Sequence, residues 1–191
     1  MSTVPVPGGP PAQVHYPDSD GQPAGETEAH TLALAYLVLR LRHRYAACPN
    51  VYVIGDMFWY YEEGNPAARK DPDVMVVKGV APSPPGGRGS FKSWVEKAMP
   101  CFILELTSEE SFEEDTREKV RLYERLGVHE YFLFDPLNER LKPPLTGYQM
   151  VGGRYAPVSL AGDGSLSSDE LGLRFVPAGA TLELIENLHV G

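Results

Sequence analysis

A chain of 191 residues with 42% apolar and 23% charged side chains has room for one domain with a sizeable core. Its net charge of −9 argues against a strong, non-specific nucleic-acid binder, which needs clustered Lys and Arg to neutralise phosphates, but does not exclude an enzyme that meets DNA through one local patch. The longest apolar run, residues 32–41, is shorter than the ~20 residues of a bilayer span, and Cys48 and Cys101 offer neither a CxxC pair nor a disulfide framework.

These features predict a protein without membrane contact in a reducing cytoplasm, with both cysteines in or near the core. No basic stretch leads into an apolar one at the start, so no signal peptide is expected. Residues 1–25 carry Pro5, Pro7, Pro10, Pro11, Pro17 and Pro23 among Gly, Ser and Asp, a composition that predicts a flexible or loosely docked arm. Residues 26–191 then form the single domain.

Residues 26–47 predict a helix ended by Pro49. Its apolar positions surround most of the circumference, so burial on more than one side is expected. Residues 51–54 and 57–61 read as two strands, or one strand bent at Gly55-Asp56. Residues 62–70 are a polar loop, and 74–77 a short β-branched strand preceded by Asp73. The Pro- and Gly-rich stretch 79–90 predicts a mobile loop of the length often reserved for function. A short helix is expected within 91–99.

Residues 101–106 form a continuous apolar strand with one charge, Glu105. Residues 112–126 predict an amphipathic helix closed by Gly127, and 131–134 a buried strand. Gly152-Gly153 joins 146–151 and 154–160 as a hairpin, and 173–176 and 181–185 supply the last strands. The order implies a mixed β-sheet flanked by helices, α/β or α+β in class.

A carboxylate inside an apolar strand is costly unless paired or metal-bound, which singles out Glu105. Alternation puts it on the face of Ile103 and Thr107. Asp73 stands likewise at the mouth of a strand, and two carboxylates at neighbouring strand ends can hold a hard cation. On the following helix Lys119 shares its face with Leu122, Tyr123 and Leu126, the face expected to look inward. A turn residue at Asp73, a structural ion pair between Glu105 and Lys119 or Arg121, and a solvated Lys119 are the competing readings. Arg117, Arg121 and Arg125 make a basic stripe that reads first as a solvated face. Tyr123 and Tyr131 read as core. No Gly-x-Ser-x-Gly elbow, P-loop or GxGxxG is present.

The run Asp71-Pro72-Asp73-Val74, then Phe102-Ile103-Leu104-Glu105-Leu106-Thr107-Ser108, then Asp115-x-x-x-Lys119-x-x-x-Tyr123, then Gly127-Val128-x-Glu130-Tyr131-x-Leu133-x-Asp135, resembles the Uma-type endonuclease family. That family lies in the PD-(D/E)XK, restriction-endonuclease-like superfamily. The likeness covers roughly residues 26–185 and implies a restriction-endonuclease-like fold. It also implies metal-dependent hydrolysis of phosphodiester bonds, in DNA more than in RNA. Asp73 and Glu105 would bind Mg²⁺ or Mn²⁺ with a backbone carbonyl near Leu106. Lys119 would orient the attacking water or stabilise transition-state charge. The superfamily usually keeps its lysine two residues after the acid. Thr107 stands there in this sequence, so the helix would supply it.

Glu28 is a further candidate metal ligand from the first helix, with Glu26 and His30 as neighbours of similar claim. The main alternative is a non-catalytic binding or assembly protein on the same fold, which the acidic charge and the Pro-rich arm favour. Either protein could form a homodimer, for which Phe58, Trp59 and Tyr60 are candidate surface residues if they are not core.

Overall fold

A computed structural model describes residues 14–17 and 27–187. Most of the expected arm, and Glu26, lie outside the described residues. Within the arm Tyr16 packs edge-on against Tyr60, and the Tyr60 hydroxyl donates to the Pro17 carbonyl.

The first helix, α1, is Glu28–Arg44, with the Thr27 hydroxyl accepting from His30 N–H as its N-cap. The strands follow as β1 (Val51–Gly55), β2 (Trp59–Tyr60), β3 (Arg69–Lys70), β4 (Val74–Lys78) and β5 (Phe91–Lys92). After the short α2 (Ser93–Glu96) come β6 (Pro100–Leu106), a π-turn at Glu114–Glu118, α3 (Lys119–Leu126) and β7 (Glu130–Phe134). The chain ends in β8 (Leu145–Val151), β9 (Arg154–Pro157), β10 (Leu166–Ser168), β11 (Leu173–Ala178) and β12 (Thr181–Glu186).

The main sheet has six strands in the order β1-β4-β6-β7-β8-β9. Only β6 and β7 pair in parallel, because α3 and the π-turn form the crossover between them. Its central strands β4, β6 and β7 are buried on both faces. Phe102, Leu104 and Leu106 point to a core shared with α1 and the small sheet β10-β11-β12, while Ile103 points to the core under α3 with Tyr123 and Tyr131. This alternation sends Glu105 to the α3 side.

Several expectations need correction. The helix α1 buries one stripe rather than several sides: His30, Ala33, Leu37, Val38 and Leu41 face inward, while Leu32 and Leu39 are 62% and 65% exposed. Phe58, Trp59 and Tyr60 are buried and so provide no dimer surface. The helix expected at 112–126 is interrupted by the π-turn. Residues 79–90 are pinned by Arg88, which donates to Ala81 O and Ser83 Oγ, pairs with Glu96 and lies over the Tyr52 ring. The polar loop contributes β3, and β10 is an additional strand.

One glycine sets how closely α1 approaches the sheet. A Cβ on Gly55 would stand 2.5 Å from Val38 Cγ2 and 3.3 Å from the Asp73 carbonyl. Gly55 therefore lets α1 sit directly over the β1–β4 pair.

Candidate active site

The β4–β6 ladder pairs Val74 with Leu104, so one step further Asp73 lies opposite Glu105. The two acids interlock through the backbone. Asp73 N–H donates to Glu105 Oε2 at 3.2 Å, and Leu106 N–H donates to Asp73 Oδ2 at 2.7 Å. Glu105 is 1% exposed, whereas the Asp73 side chain keeps 15% exposure toward an open cleft of about 520 Å³.

Lys119 completes the group. Its ammonium lies 3.0 Å from Glu105 Oε1 and 2.8 Å from Asp115 Oδ1, while the Tyr123 hydroxyl donates to Glu105 Oε1 at 3.0 Å. Two carboxylates, Glu105 and Asp115, thus share one ammonium, and His30 Nε2 lies 3.2 Å from Asp73 Oδ1. Burial pushes the Glu105 carboxyl up to about 8; Lys119 opposes this, and Asp73 and Asp115 add to it. Burial works against the Lys119 charge, but Glu105 and Asp115 more than offset it and hold the ammonium charged. Tyr123 is held protonated by burial and by Glu105, so it serves as a donor.

The structure brings Asp73, Glu105, Leu106 and Lys119 to one cleft. It does not bring Glu28, which is exposed and borders a different, apolar hollow with Leu32, Tyr36 and Thr181. His30, two residues on, occupies the place expected of Glu28. Asp115, which the sequence places in the motif without a role of its own, is the further residue of the site. Its signal was available, since it lies four residues before Lys119 on the same helical segment. The Arg117, Arg121 and Arg125 stripe faces solvent, with Arg117 paired to Glu113.

A profile of the Uma2 family, described as "Putative restriction endonuclease", matches residues 9–182. The chain belongs to the Uma2 family. No curated protein sequence matches it. Among solved structures it is similar to a "putative nuclease belonging to DUF820" from Anabaena variabilis, at 12% identity and a TM-score of 0.54, over 76% of this chain and 75% of that one. The mixed sheet with few helices is thus similar in fold to that protein.

Among the described residues of this Uma2 chain, no three His, Cys, Asp or Glu side chains converge as a ready-made metal cage. The donor set nonetheless fits a hard, hydrated cation. Mg²⁺ is commonly held by one or two carboxylates and keeps several waters. Asp73 and Glu105 are two such groups, and the excess of carboxylates over ammonium leaves local negative charge for a cation to balance. The cleft walls reinforce this. Glu109, Glu110, Glu114 and Glu139 line it; the lining Arg140 is paired with Glu109, and Lys70 with Glu114.

Proposed function

We propose that this chain is a metal-dependent endonuclease that hydrolyses phosphodiester bonds, acting on DNA in preference to RNA with Mg²⁺ or Mn²⁺. The observation that carries this reading is the meeting of Asp73 and Glu105 across neighbouring strands with the Lys119 ammonium 3.0 Å from Glu105. The family's description and the fold of the Anabaena protein support it.

When bound, the ion would polarise the scissile phosphate and lower the pKa of a coordinated water. Asp73 and Glu105 would hold it, with the Leu106 carbonyl as the proposed backbone oxygen. Because Glu105 and Asp115 keep Lys119 protonated, Lys119 is unsuited to be a general base. Its role is electrostatic: it orients the attacking water and offsets charge that develops on the phosphorane-like transition state. Tyr123 keeps its proton and fixes the Glu105 rotamer. The acidic walls repel a bare polyanion, so affinity for nucleic acid should depend on divalent ions as well as turnover.

We further place the chain in the cytoplasm as a homodimer. Both cysteines are free thiols, and no described helix is long and apolar enough to cross a membrane. The deciding experiment incubates the purified chain with supercoiled plasmid or RNA, with and without Mg²⁺ or Mn²⁺, beside Asp73→Ala and Lys119→Ala. Ion-dependent DNA cleavage, lost in both variants, is expected. Substrates left intact under every ion, with no Mn²⁺ uptake by calorimetry, would remove the proposal in favour of an assembly role.

A further inference from the structure

Resting on the nuclease reading above, we propose that Asp115 is the positioning residue of the site: anchored by the π-turn and the Tyr131 hydroxyl, it fixes the Lys119 ammonium against Glu105.

The need for such a residue follows from where the lysine originates. Lys119 reaches the site from a helix on a flexible four-carbon stem, which is hard to hold in one geometry. Strand β6 cannot supply the cation itself. Thr107 occupies the position two residues after Glu105, and its hydroxyl is buried without a hydrogen-bond partner. Two grips on one ammonium, from separate elements, overcome the flexibility. Glu105 on β6 provides one at 3.0 Å and Asp115 in the π-turn the other at 2.8 Å.

Asp115 is itself placed with unusual care. It is 1% exposed, and no donor is angled onto its Oδ1 as a hydrogen bond, so the Lys119 charge is what compensates that oxygen. A buried carboxylate compensated so narrowly is a poor device for stability, because an apolar side chain would cost less. The backbone is arranged around it as well. Lys119 N–H donates to the Glu114 carbonyl, five residues back, so it does not take up the Asp115 carbonyl as an α-helix would. The buried Tyr131 hydroxyl on β7 donates to that carbonyl at 2.9 Å. The π-turn is thereby tied to the same parallel strand pair, β6 and β7, that carries Glu105. A π-turn inside a helix is rare and frequently lies at a functional site.

The test uses the full chain and reads Lys119 directly. In protein labelled with ¹⁵N-lysine, the Lys119 ammonium should give a slowly exchanging resonance, assigned by its absence in Lys119→Ala. Asp115→Asn, which keeps the shape and removes the charge, should abolish it. Tyr131→Phe, which keeps the charge and releases the carbonyl, should broaden it, and this second variant decides the matter if Asp115→Asn fails to fold. Where cleavage is measurable, Asp115→Asn should lower kcat about 10- to 100-fold. KM and Mn²⁺ affinity should stay within about twofold, and the substitution should have no further effect in a Lys119→Ala background. An ammonium signal unchanged in both Asp115→Asn and Tyr131→Phe, or losses in kcat that multiply with Lys119→Ala, would overturn the proposal. Loss of the signal in a chain that cleaves nothing would leave the positioning role standing and remove the nuclease reading alone.

Discussion

Glu105→Gln separates the cost of the buried acid from its use. The substitution preserves shape, removes the charge and leaves Lys119 its Asp115 partner at 2.8 Å. Burial raises Glu105 from its ordinary 4.5 to about 8. A group whose folded pKa is raised contributes stability that is fully present below its unfolded pKa and lost as pH rises through the folded one. The ion-free wild type should therefore weaken between pH 4.5 and 8, and Glu105→Gln should not weaken from this source. At ~1.4 kcal/mol per pH unit the ceiling of the difference is about 5 kcal/mol. Relaxation and water entry around a buried ion lower that ceiling, so about 1–3 kcal/mol is expected at pH 8.5. Urea unfolding in EDTA at pH 5, 7 and 8.5 measures it. The order should reverse with Mn²⁺: at a hundredfold excess over Kd the wild type gains ~2.7 kcal/mol and the variant little. Parallel curves across pH, or a variant less stable than wild type at pH 8.5 in EDTA, would refute the reasoning.

Tyr123→Phe removes the donor to Glu105 Oε1 and should destabilise by about 1–2 kcal/mol at pH 8.5 and less at pH 5, where Glu105 is neutral; the same urea series reads it. Gly55→Ala places a Cβ 2.5 Å from Val38 Cγ2, and should cost about 1–3 kcal/mol in chemical unfolding and weaken Mn²⁺ binding, because the same Cβ crowds the Asp73 carbonyl. The exposed Leu32, Tyr36 and Leu39 of α1 are the apolar surface we assign to the homodimer, with Phe58–Tyr60 buried. Sedimentation at increasing concentration should show a dimer for the wild type and a monomer for Leu32→Glu/Leu39→Glu, and identical behaviour of the two would exclude that surface.

The two acids were legible in the sequence for different reasons. Glu105 stands out because a charge in a seven-residue buried strand demands an explanation. Asp73 precedes a strand and is unremarkable alone; the β4–β6 register makes it significant, and register is a property of pairing that no single strand displays. Lys119 was legible from its helix face; Asp115 stood in the same motif four residues earlier, but its role was not legible, because the π-turn that aims it leaves no pattern in residue types. The basic stripe at Arg117, Arg121 and Arg125 was legible as an exposed face, since charged residues at helical spacing can be served by water and by an i,i+4 neighbour such as Glu113.

The choice between Glu28 and His30 shows what decides such matters physically. Two residues separate them, which is more than half a turn of helix, so only one can face the sheet. The apolar residues of α1 cannot choose the phase, because they occur on every side: positions 28, 32 and 36 and positions 30, 33, 37 and 41 are both acceptable stripes. The sheet chooses. At the Gly55 end of β1 the absent side chain admits Val38, with Leu34 beside it. Seating Val38 over Gly55 turns Leu37, Leu41 and His30 inward and leaves Glu28 and Leu32 outside. His30 then meets Asp73 at 3.2 Å. A glycine one residue past the β1 core thus determines which side chain of a distant helix turn reaches the acids, and a helix read alone could not reveal it.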